Sequence, residues 1–246
     1  MDYGGIYIMK SGIKHMGTIL TMSALLFILG GCSLMGNTKK DYSNYVQALM
    51  DVNYKAEYDN YLAITGVDLN EAEAVYNEGI VNLAGQLMNA YGIENVEGSD
   101  LEAQFEELAR NIYSHAKYEI TDVSKEDGIY SVTVTIYPID IFAITYDDVN
   151  AYIQDMNNKV DQGVYNDYEL VDYQLEYAEG IIQILNNALP NTGNSDGITV
   201  TVQILDNGEY YYISDSDFIA LDRPIIDFVS INDDGTLNHS AESSTD

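Results

Sequence analysis

The stretch YEITDVSKEDGIYSVTVTIYP, residues 118–138, decides the fold class of this 246-residue chain. In its first part, Tyr118, Ile120 and Asp122 alternate with the residues between them, as in a strand with two different faces. The four residues KEDG then favour a turn, and the β-branched and aromatic run that follows is typical of a second strand. Pro138 ends that strand, because proline has no amide hydrogen for a neighbouring strand. The stretch therefore predicts an antiparallel β-hairpin.

Three helices are predicted before this hairpin, because apolar residues recur there at three- and four-residue spacing. They cover about 41–64, 68–92 and 99–112. Asp68 with Glu71, and Ser99 with Glu102, have the spacing of a capping box at the starts of the second and third helices.

Helices followed by a hairpin occur a second time. Apolar spacing predicts helices from Thr145 to Gly163 and from Leu170 to Leu189, and a short helix after Ser214. The strands ITVTVQIL (198–205) and EYYYI (209–213) are joined through Asp-Asn-Gly, a strong hairpin signal. The sequence thus predicts an α+β fold, with several helices packed on a four-stranded antiparallel sheet. It raises the hypothesis of two related helix–hairpin halves. The layout is similar, in architecture alone, to cystatin-like folds and to folds like nuclear transport factor 2.

The first 31 residues have the parts of an export signal. MKSGIKHMG (9–17) is basic, and TILTMSALLFILGG (18–31) is apolar, ends in small residues and is too short to favour a spanning helix. The start is either Met1 or Met9; Asp2 fits poorly in a basic leader.

The residues Leu29-Gly30-Gly31-Cys32 follow at the end of the apolar run and resemble the lipobox of bacterial lipoproteins, L-[AS]-[GA]-C. The resemblance implies that Cys32 receives a diacylglyceryl thioether and that signal peptidase II cleaves between Gly31 and Cys32. It implies a Gram-positive-type lipoprotein, anchored by lipid at the extracytoplasmic face of the cell membrane. The alternative is an ordinary secretory signal with an incidental cysteine. Because Cys32 is the only cysteine, an intramolecular disulfide is excluded. No specific family is identified for the rest of the chain.

These features divide the chain into four predicted parts. They are a removed signal peptide (1–31), the lipidated cysteine with a tether (32–40), one α+β domain (41–230) and a polar C-terminal tail (231–246). Within the tether, Lys39 and Lys40 form a basic pair where anionic headgroups are within reach, although a solvated linker explains them equally well.

The net charge of the chain limits the classes of partner that it can bind. The full chain has 40 acidic and 10 basic residues, and 1–31 contain one acid and two lysines, so the remainder carries a net charge of −31. Such a surface repels nucleic acid and anionic lipid, so nucleic-acid binding is not predicted. Cations and basic partners remain admissible, and loose divalent-cation binding is one alternative function.

The stretch NALPNTGNSDGITV (187–200) matches three functional patterns, each of which fails on its context. LPNTG resembles a sortase signal, but no apolar span and basic tail follow it. GNSDG fits the elbow of serine hydrolases, but Ser195 stands between a helix and a strand, the reverse of the required order. A calcium loop beginning at Thr192 lacks the acids that its first and last positions require. The stretch is predicted to be a helix-to-strand connection, with Pro190 ending the helix and glycines supplying turn conformations.

No catalytic, metal-binding or cofactor motif is predicted in the rest of the chain. Asp140, between apolar neighbours, is the candidate for an alternative role as a catalytic acid, and exposure or capping of a turn is its simpler explanation. His115 lacks a nucleophile partner and is placed to cap a helix end. Tyr210 and Tyr212, on one face of a predicted strand, are the candidates for stacking on a glycan or peptide, and a half-buried sheet face is the alternative.

The sequence therefore favours a non-enzymatic binding or interaction role in the cell envelope, with an envelope protein or glycan as the partner. An envelope enzyme that acts through carboxylates is the alternative.

Overall fold

The structure is a computed structural model that describes residues 38–165, 170–208, 210–231 and 237–239. Its helices are α1 (Lys39–Lys55), α2 (Asp59–Thr65), α3 (Leu69–Ala90), α4 (Leu101–Tyr113), α5 (Ile141–Asp161), α6 (Leu170–Ala188) and α7 (Asp215–Asp222). Its strands are β1 (Lys117–Glu126), β2 (Ile129–Tyr137), β3 (Ile198–Asp206), β4 (Tyr211–Ile213), β5 (Val229–Ile231) and β6 (Leu237–His239). The predicted α+β class is confirmed.

The two predicted hairpins share one antiparallel sheet, in the order β1-β2-β3-β4. Val132 and Val134 of β2 and Val202 of β3 are fully buried on the face that the helices cover. The alternate residues form an open face, on which the hydroxyls of Thr133 and Thr201 are 3.0 Å apart. One covered and one solvated face are usual for an antiparallel sheet.

A β-bulge changes the alternation that was predicted for β1. Ile120 and Asp122 lie opposite consecutive residues of β2, so Thr121 is the extra residue. The bulge turns the following residues over, because one inserted residue exchanges the two faces of a strand. Asp122 is thereby exposed instead of sharing the face of Ile120, and Val123 packs against the core.

The β1–β2 turn is a two-residue connection. Asp127 and Gly128 both have positive φ, 48° and 91°. This conformation matches the type I′ turn that joins twisted strands, and glycine adopts it at no steric cost.

Helix α1 is the central helix of the core. Its buried residues are Tyr42, Tyr45, Val46, Ala48, Leu49, Met50, Asp51, Val52, Asn53 and Tyr54. The helix begins with a capping box, in which the Thr38 hydroxyl accepts from the Asp41 amide and the Asp41 carboxylate accepts from the Thr38 amide. Contacts with α2, α3, β1 and β2 surround the helix.

The single helix predicted for 41–64 is wrong, because two helices occupy this range. Helix α1 ends at Lys55, and Ala56 adopts the left-handed conformation with φ 54°. The apolar periodicity nevertheless continues across the break, since Tyr58 packs against the core and Tyr61 is buried in it. No glycine or proline at the break signalled it.

One of the two predicted capping interactions is confirmed. The carboxylate of Asp68 accepts from the amide of Glu71 at 3.0 Å and caps α3. At the start of α4 the capping box is wrong: the Ser99 hydroxyl donates to the carbonyl of Val96, and the Glu102 carboxylate accepts from the side chain of Asn95.

Helix α5 begins at Ile141, four residues before the predicted start at Thr145. The hydroxyl of Thr145 is buried and donates to the carbonyl of Ile141, so this threonine belongs to the helix interior. Helix α7 is found where a short helix was predicted, and the Ser214 hydroxyl accepts from the Asp217 amide at its start.

The edge of the sheet beyond β4 is covered in part by α7. Strand β4 pairs only with residues 204–206 of β3, so residues 198–203 extend past it. The amide of Gln203 donates to the carboxylate of Asp217 in α7 at 2.9 Å. Farther along, β6 lies within the predicted polar tail and pairs with β5 in a separate two-stranded sheet.

Candidate functional site

The predicted cleavage and lipidation residues, Gly31 and Cys32, lie outside the described residues. The described chain begins at Thr38. Because an extended chain advances at most about 3.3–3.6 Å per residue, Thr38 lies within about 20–22 Å of Cys32. The start of α1 is therefore the described part of the domain that follows the predicted anchor most closely along the chain.

Three structural features meet at this end of the domain: the first turn of α1, the β1–β2 turn and the β3–β4 turn. We call them together the tether end. Tyr42 in α1 joins them, because its ring centroid lies 3.9 Å from that of Tyr130 in β2 and 5.4 Å from that of Tyr211 in β4. These aromatic contacts fix the start of α1 against both hairpins.

Basic and apolar side chains are adjacent at the tether end. Lys39 and Lys40, in the first turn of α1, line a shallow cleft whose opposite wall is β1. Lys125 precedes the β1–β2 turn and lies over the ring of Tyr130. Just after the turn, Ile129 has 42% of its surface exposed.

Acidic side chains at the tether end are partly engaged by backbone amides. Hydrogen bonds from the Thr38 side chain and amide hold the pKa of Asp41 below its usual value. The carboxylate of Asp206 accepts from the amide of Gly208 in the β3–β4 turn. The tether end thus carries both signs of charge. The exposed acids Asp122, Glu126 and Asp127 lie in or beside the same turn as Lys125 and the exposed Ile129.

Tyr210 and Tyr212, the predicted stacking residues, are adjacent. Their ring centroids are 6.1 Å apart, with the ring planes at 65°. Tyr212 pairs with Leu205 on the open face of the sheet, whereas Tyr210 precedes β4 and packs against the core cluster. Both are half-buried, so they present a partly exposed aromatic edge close to the tether end.

Asp140 lies at the boundary between β2 and α5 and is half-buried. Its carboxylate accepts from the amide of Gly193 at 2.8 Å, and its own amide donates to the Gly193 carbonyl at 3.3 Å. A side chain at position 193 would approach the Asp140 carboxylate to 3.3 Å. The two residues therefore form a close pair that joins the start of α5 to the loop before β3.

The loop at 189–197 is a helix-to-strand connection, as predicted, and it also binds other segments together. The side chain of Asn194 donates to the carbonyls of His115 and Tyr137, and the Ser195 amide donates to the carbonyl of Pro138. The prediction that its glycines supply turn conformations is wrong, since neither Gly193 nor Gly197 has a positive φ. Gly197 is instead required for close approach, because a Cβ there would meet the Thr135 side chain at 2.7 Å.

Two buried carboxylates that sequence reasoning did not select are bound by tyrosines. The Tyr54 hydroxyl donates to Asp222 at 2.8 Å, and the Tyr118 hydroxyl donates to Asp51 at 2.7 Å. Burial raises the pKa of Asp222 to about 6, while the hydrogen bond from Tyr54 acts in the opposite direction. Burial, followed by the nearby Asp222 charge, raises the pKa of Tyr54 well above its usual value.

The surroundings of these two acids differ. Asp51 also accepts from the side chain of Gln47 and lies 3.7 Å from Lys55, near the surface. Asp222 is enclosed and borders a narrow cavity lined in part by Gln86 and Tyr113. An acid with a raised pKa can serve as a proton donor, but here the cavity is too narrow to hold a substrate.

The tyrosine partners of these two acids are far away in the sequence. Tyr54 and Asp222 are 168 residues apart in the chain, and Asp51 and Tyr118 are 67 residues apart. The local signal was an acid inside an apolar run, ALMDVNY for Asp51 and IALDRPII for Asp222.

Within the described ranges, no group of three or more His, Cys, Asp or Glu side chains is arranged to hold a metal ion. None of the helices described here is long and apolar enough to cross a membrane.

Comparison with known proteins gives one structural similarity. No protein-family model matches the chain, and no curated protein matches it. A crystal structure of a "putative lipoprotein (ycdA)" from Bacillus subtilis subsp. subtilis str. 168 matches with 18% sequence identity and a TM-score of 0.49. The match covers 76% of this chain and 56% of that protein, so the chain spans little more than half its length. Similarity at this level assigns neither a family nor a function.

Proposed function

We propose that this chain is an extracytoplasmic lipoprotein, held at the outer face of the cell membrane by lipid on Cys32, with a non-enzymatic binding role in the cell envelope. The observation that carries the proposal is the lipobox-like sequence Leu29-Gly30-Gly31-Cys32, directly after a basic segment and an apolar run. Position, apolar run and cysteine agree, and this agreement supports a lipobox over an incidental cysteine.

The physical chemistry of the chain supports an anchor of this kind. A net charge of −31 after residue 31 opposes adsorption to anionic lipid, so the domain needs a strong apolar attachment to remain at a membrane. A diacylglyceryl group supplies two acyl chains at about 0.8 kcal/mol per buried methylene, and two chains hold a protein where one binds marginally.

A binding role is supported by the surfaces and the acids of the domain. The open face of the sheet exposes hydroxyl and amide side chains, including Thr199, Thr201 and Gln203. Such a face offers hydrogen bonds to an envelope protein or glycan. The acid proposed for the enzymatic alternative, Asp140, is engaged by the Gly193 amide.

Metabolic labelling tests the anchor. In a lipoprotein-competent host, we expect wild-type protein to incorporate labelled palmitate and to fractionate with the membrane at the size of the cleaved chain. Cys32→Ala removes the thiol that carries the lipid, so the variant should remain unlabelled and either uncleaved or released into the medium. Ser33→Ala, which changes the adjacent residue, is the matched control and should behave as wild type. Equal labelling of wild type and Cys32→Ala, both cleaved and membrane-bound, would exclude the proposal.

A further inference from the structure

The tether end brings together the features of a surface that rests on a bilayer. Lys39 and Lys40 lie in the first turn of α1, Lys125 lies before the β1–β2 turn, and the exposed Ile129 lies after it. Half-buried Tyr210 and Tyr212 flank the neighbouring turn. Lysine and tyrosine are the side chains that favour the headgroup region, since each joins an apolar body to a polar tip.

We propose that the tether end is a docking surface for the phospholipid bilayer, with the β1–β2 turn in the headgroup region and the opposite end of the domain directed away from the membrane. This inference rests on the proposed anchor at Cys32 and adds the orientation of the domain. The occupant of the surface is the bilayer itself, because the chain that leaves Thr38 reaches the anchor position within about 20–22 Å.

Because the tether is short, weak contacts are sufficient to orient the domain on the bilayer. A group that is confined within about 20 Å of a surface experiences an effective concentration in the millimolar range. The lysines and Ile129 then need only to favour one orientation over the others, and they do not have to hold the protein at the membrane.

Three of the five described basic side chains that form no ion pair with a described residue lie at the tether end. These three are Lys39, Lys40 and Lys125. The other two are Lys117 and Arg223, whereas Lys55, Arg110 and Lys159 are paired with acids elsewhere on the domain. Asp122 lines the same cleft as Lys39 and Lys40, but no described carboxylate forms an ion pair with either lysine, so both are available to lipid phosphates.

The absence of tryptophan from the chain permits a direct test. Ile129→Trp places the only tryptophan of the chain at the proposed contact, on a side chain that is already exposed, and tryptophan can be excited selectively over tyrosine. Val81→Trp is the matched control: Val81 is 53% exposed on α3, two residues after Gly79, which lies against the carbonyl of Asn53. Asn53 is about 21 Å along α1 from Lys39, at 1.5 Å per residue.

Both variants are expressed as the full chain, purified in lipidated form and reconstituted into vesicles of phosphatidylcholine with phosphatidylglycerol. Lipids brominated near the headgroup quench tryptophan that touches the bilayer. We expect loss of fluorescence and a blue shift for the tryptophan at 129, and neither for the tryptophan at 81. Equal quenching at both positions, or quenching at neither, in protein with acylated Cys32 overturns the docking surface and leaves the anchor intact. Mass spectrometry that finds no acyl chain on Cys32 overturns the anchor and the docking together.

A charge-reversal series separates the lysines from the apolar tip. In the Ile129→Trp background, Lys39→Glu with Lys40→Glu should reduce quenching in anionic vesicles at low salt. The reduction should be smaller in vesicles of pure phosphatidylcholine. Both changes are compatible with the first turn of a helix, where acids are favourable. Lys117→Glu is the matched control, since Lys117 lies about 27 Å from Lys125 along β1. A reduction of the same size from Lys117→Glu would show a general charge effect and would contradict a local docking surface.

Discussion

Asp222 is a carboxylic acid in the protein core whose ionisation is coupled to folding. Burial raises its pKa to about 6 in the folded protein, whereas the same group titrates near about 3.9 in an unfolded chain. Between these two values the folded state keeps a proton that the unfolded state has lost. The acid therefore favours the fold most at low pH, and this contribution is lost as the pH rises through 6.

Replacing this acid by its amide should remove the pH dependence that it causes. We expect Asp222→Asn to be more stable than wild type at pH 7, by up to about 3 kcal/mol for a shift of about two pH units, and close to wild type at pH 4. The amide oxygen still accepts from the Tyr54 hydroxyl. Urea unfolding of both proteins at pH 4, 5.5 and 7 measures the difference. A difference that is constant over this range would contradict the assignment.

Asp140 lies at the start of α5 and has two alternative roles, a structural one and a catalytic one. The two roles predict different stabilities for its variants. If the role of Asp140 is to bind the Gly193 amide, Asp140→Ala leaves that donor without its acceptor. The substitution should then lower the free energy of unfolding by about 1–3 kcal/mol. Asp140→Asn keeps an oxygen acceptor and should recover most of the loss. Denaturation of the three proteins compares them. Wild-type stability in both variants would contradict the structural role and leave the catalytic role as the alternative for Asp140.

The pairing of α5 with α6 depends on one glycine. A Cβ at Gly180 in α6 would lie 2.1 Å from the ring of Tyr152 in α5, whose hydroxyl donates to the carbonyl of Glu176. The same ring lies parallel to that of Tyr177, with the ring centroids 6.2 Å apart. The aromatic ring thus lies directly on the backbone of α6, and the absence of a side chain at 180 makes this possible.

Gly180→Ala should therefore destabilise the protein although alanine is the better helix former. We expect a loss of about 1–3 kcal/mol, since the Tyr152 ring must leave its place between the helices. Gly85→Ala on α3 is the matched control, because no atom lies within 4 Å of the added Cβ. That change should stabilise the protein by about 0.5–1 kcal/mol. Thermal unfolding distinguishes them, and a stabilising Gly180→Ala would show that Tyr152 moves aside at little cost.

The order of helices and strands was predictable because it depends on local periodicity. The two hairpins, their pairing in one sheet and the cap at Asp68 follow from alternation, turn residues and cap spacing. The break at Ala56 and the bulge at Thr121 were not predictable, because apolar residues continue through both and only tertiary packing selects the backbone conformation. The early start of α5 was missed for a related reason: Asp140 caps nothing with its side chain and binds a distant loop instead.

The candidate site also has a part that the sequence predicts and a part that only the structure reveals. The lipobox is a contiguous motif and can be read directly, whereas the meeting of Lys39 with the β1–β2 turn needs the path of α1 along the sheet. The networks around Asp51 and Asp222 join residues far apart in the chain, so no spacing rule reveals them. Their tyrosines resembled ordinary strand and helix residues.

The open face of the sheet is the broadest polar surface that this domain offers to a partner. Thr201→Arg would project a large charged side chain from the centre of that face without entering the core. We expect at least about tenfold weaker binding to purified envelope glycans or proteins, equivalent to about 1.4 kcal/mol, at unchanged thermal stability. Val81→Arg adds the same charge on α3 and should bind as wild type. Unchanged binding by Thr201→Arg would exclude this face.

The edges of the sheet also determine how copies of the protein behave when they are crowded. An open strand edge is a template for another chain, and continued addition of strands produces aggregates. The β1 edge carries the Thr121 bulge and charged side chains at Asp122 and Lys125, β4 is only three residues long, and the Asp217 carboxylate occupies the Gln203 amide beside it. Within the described part of the four-stranded sheet, no edge is long, straight and uncharged. Copies of the domain can therefore be concentrated on one surface without polymerising through their sheets.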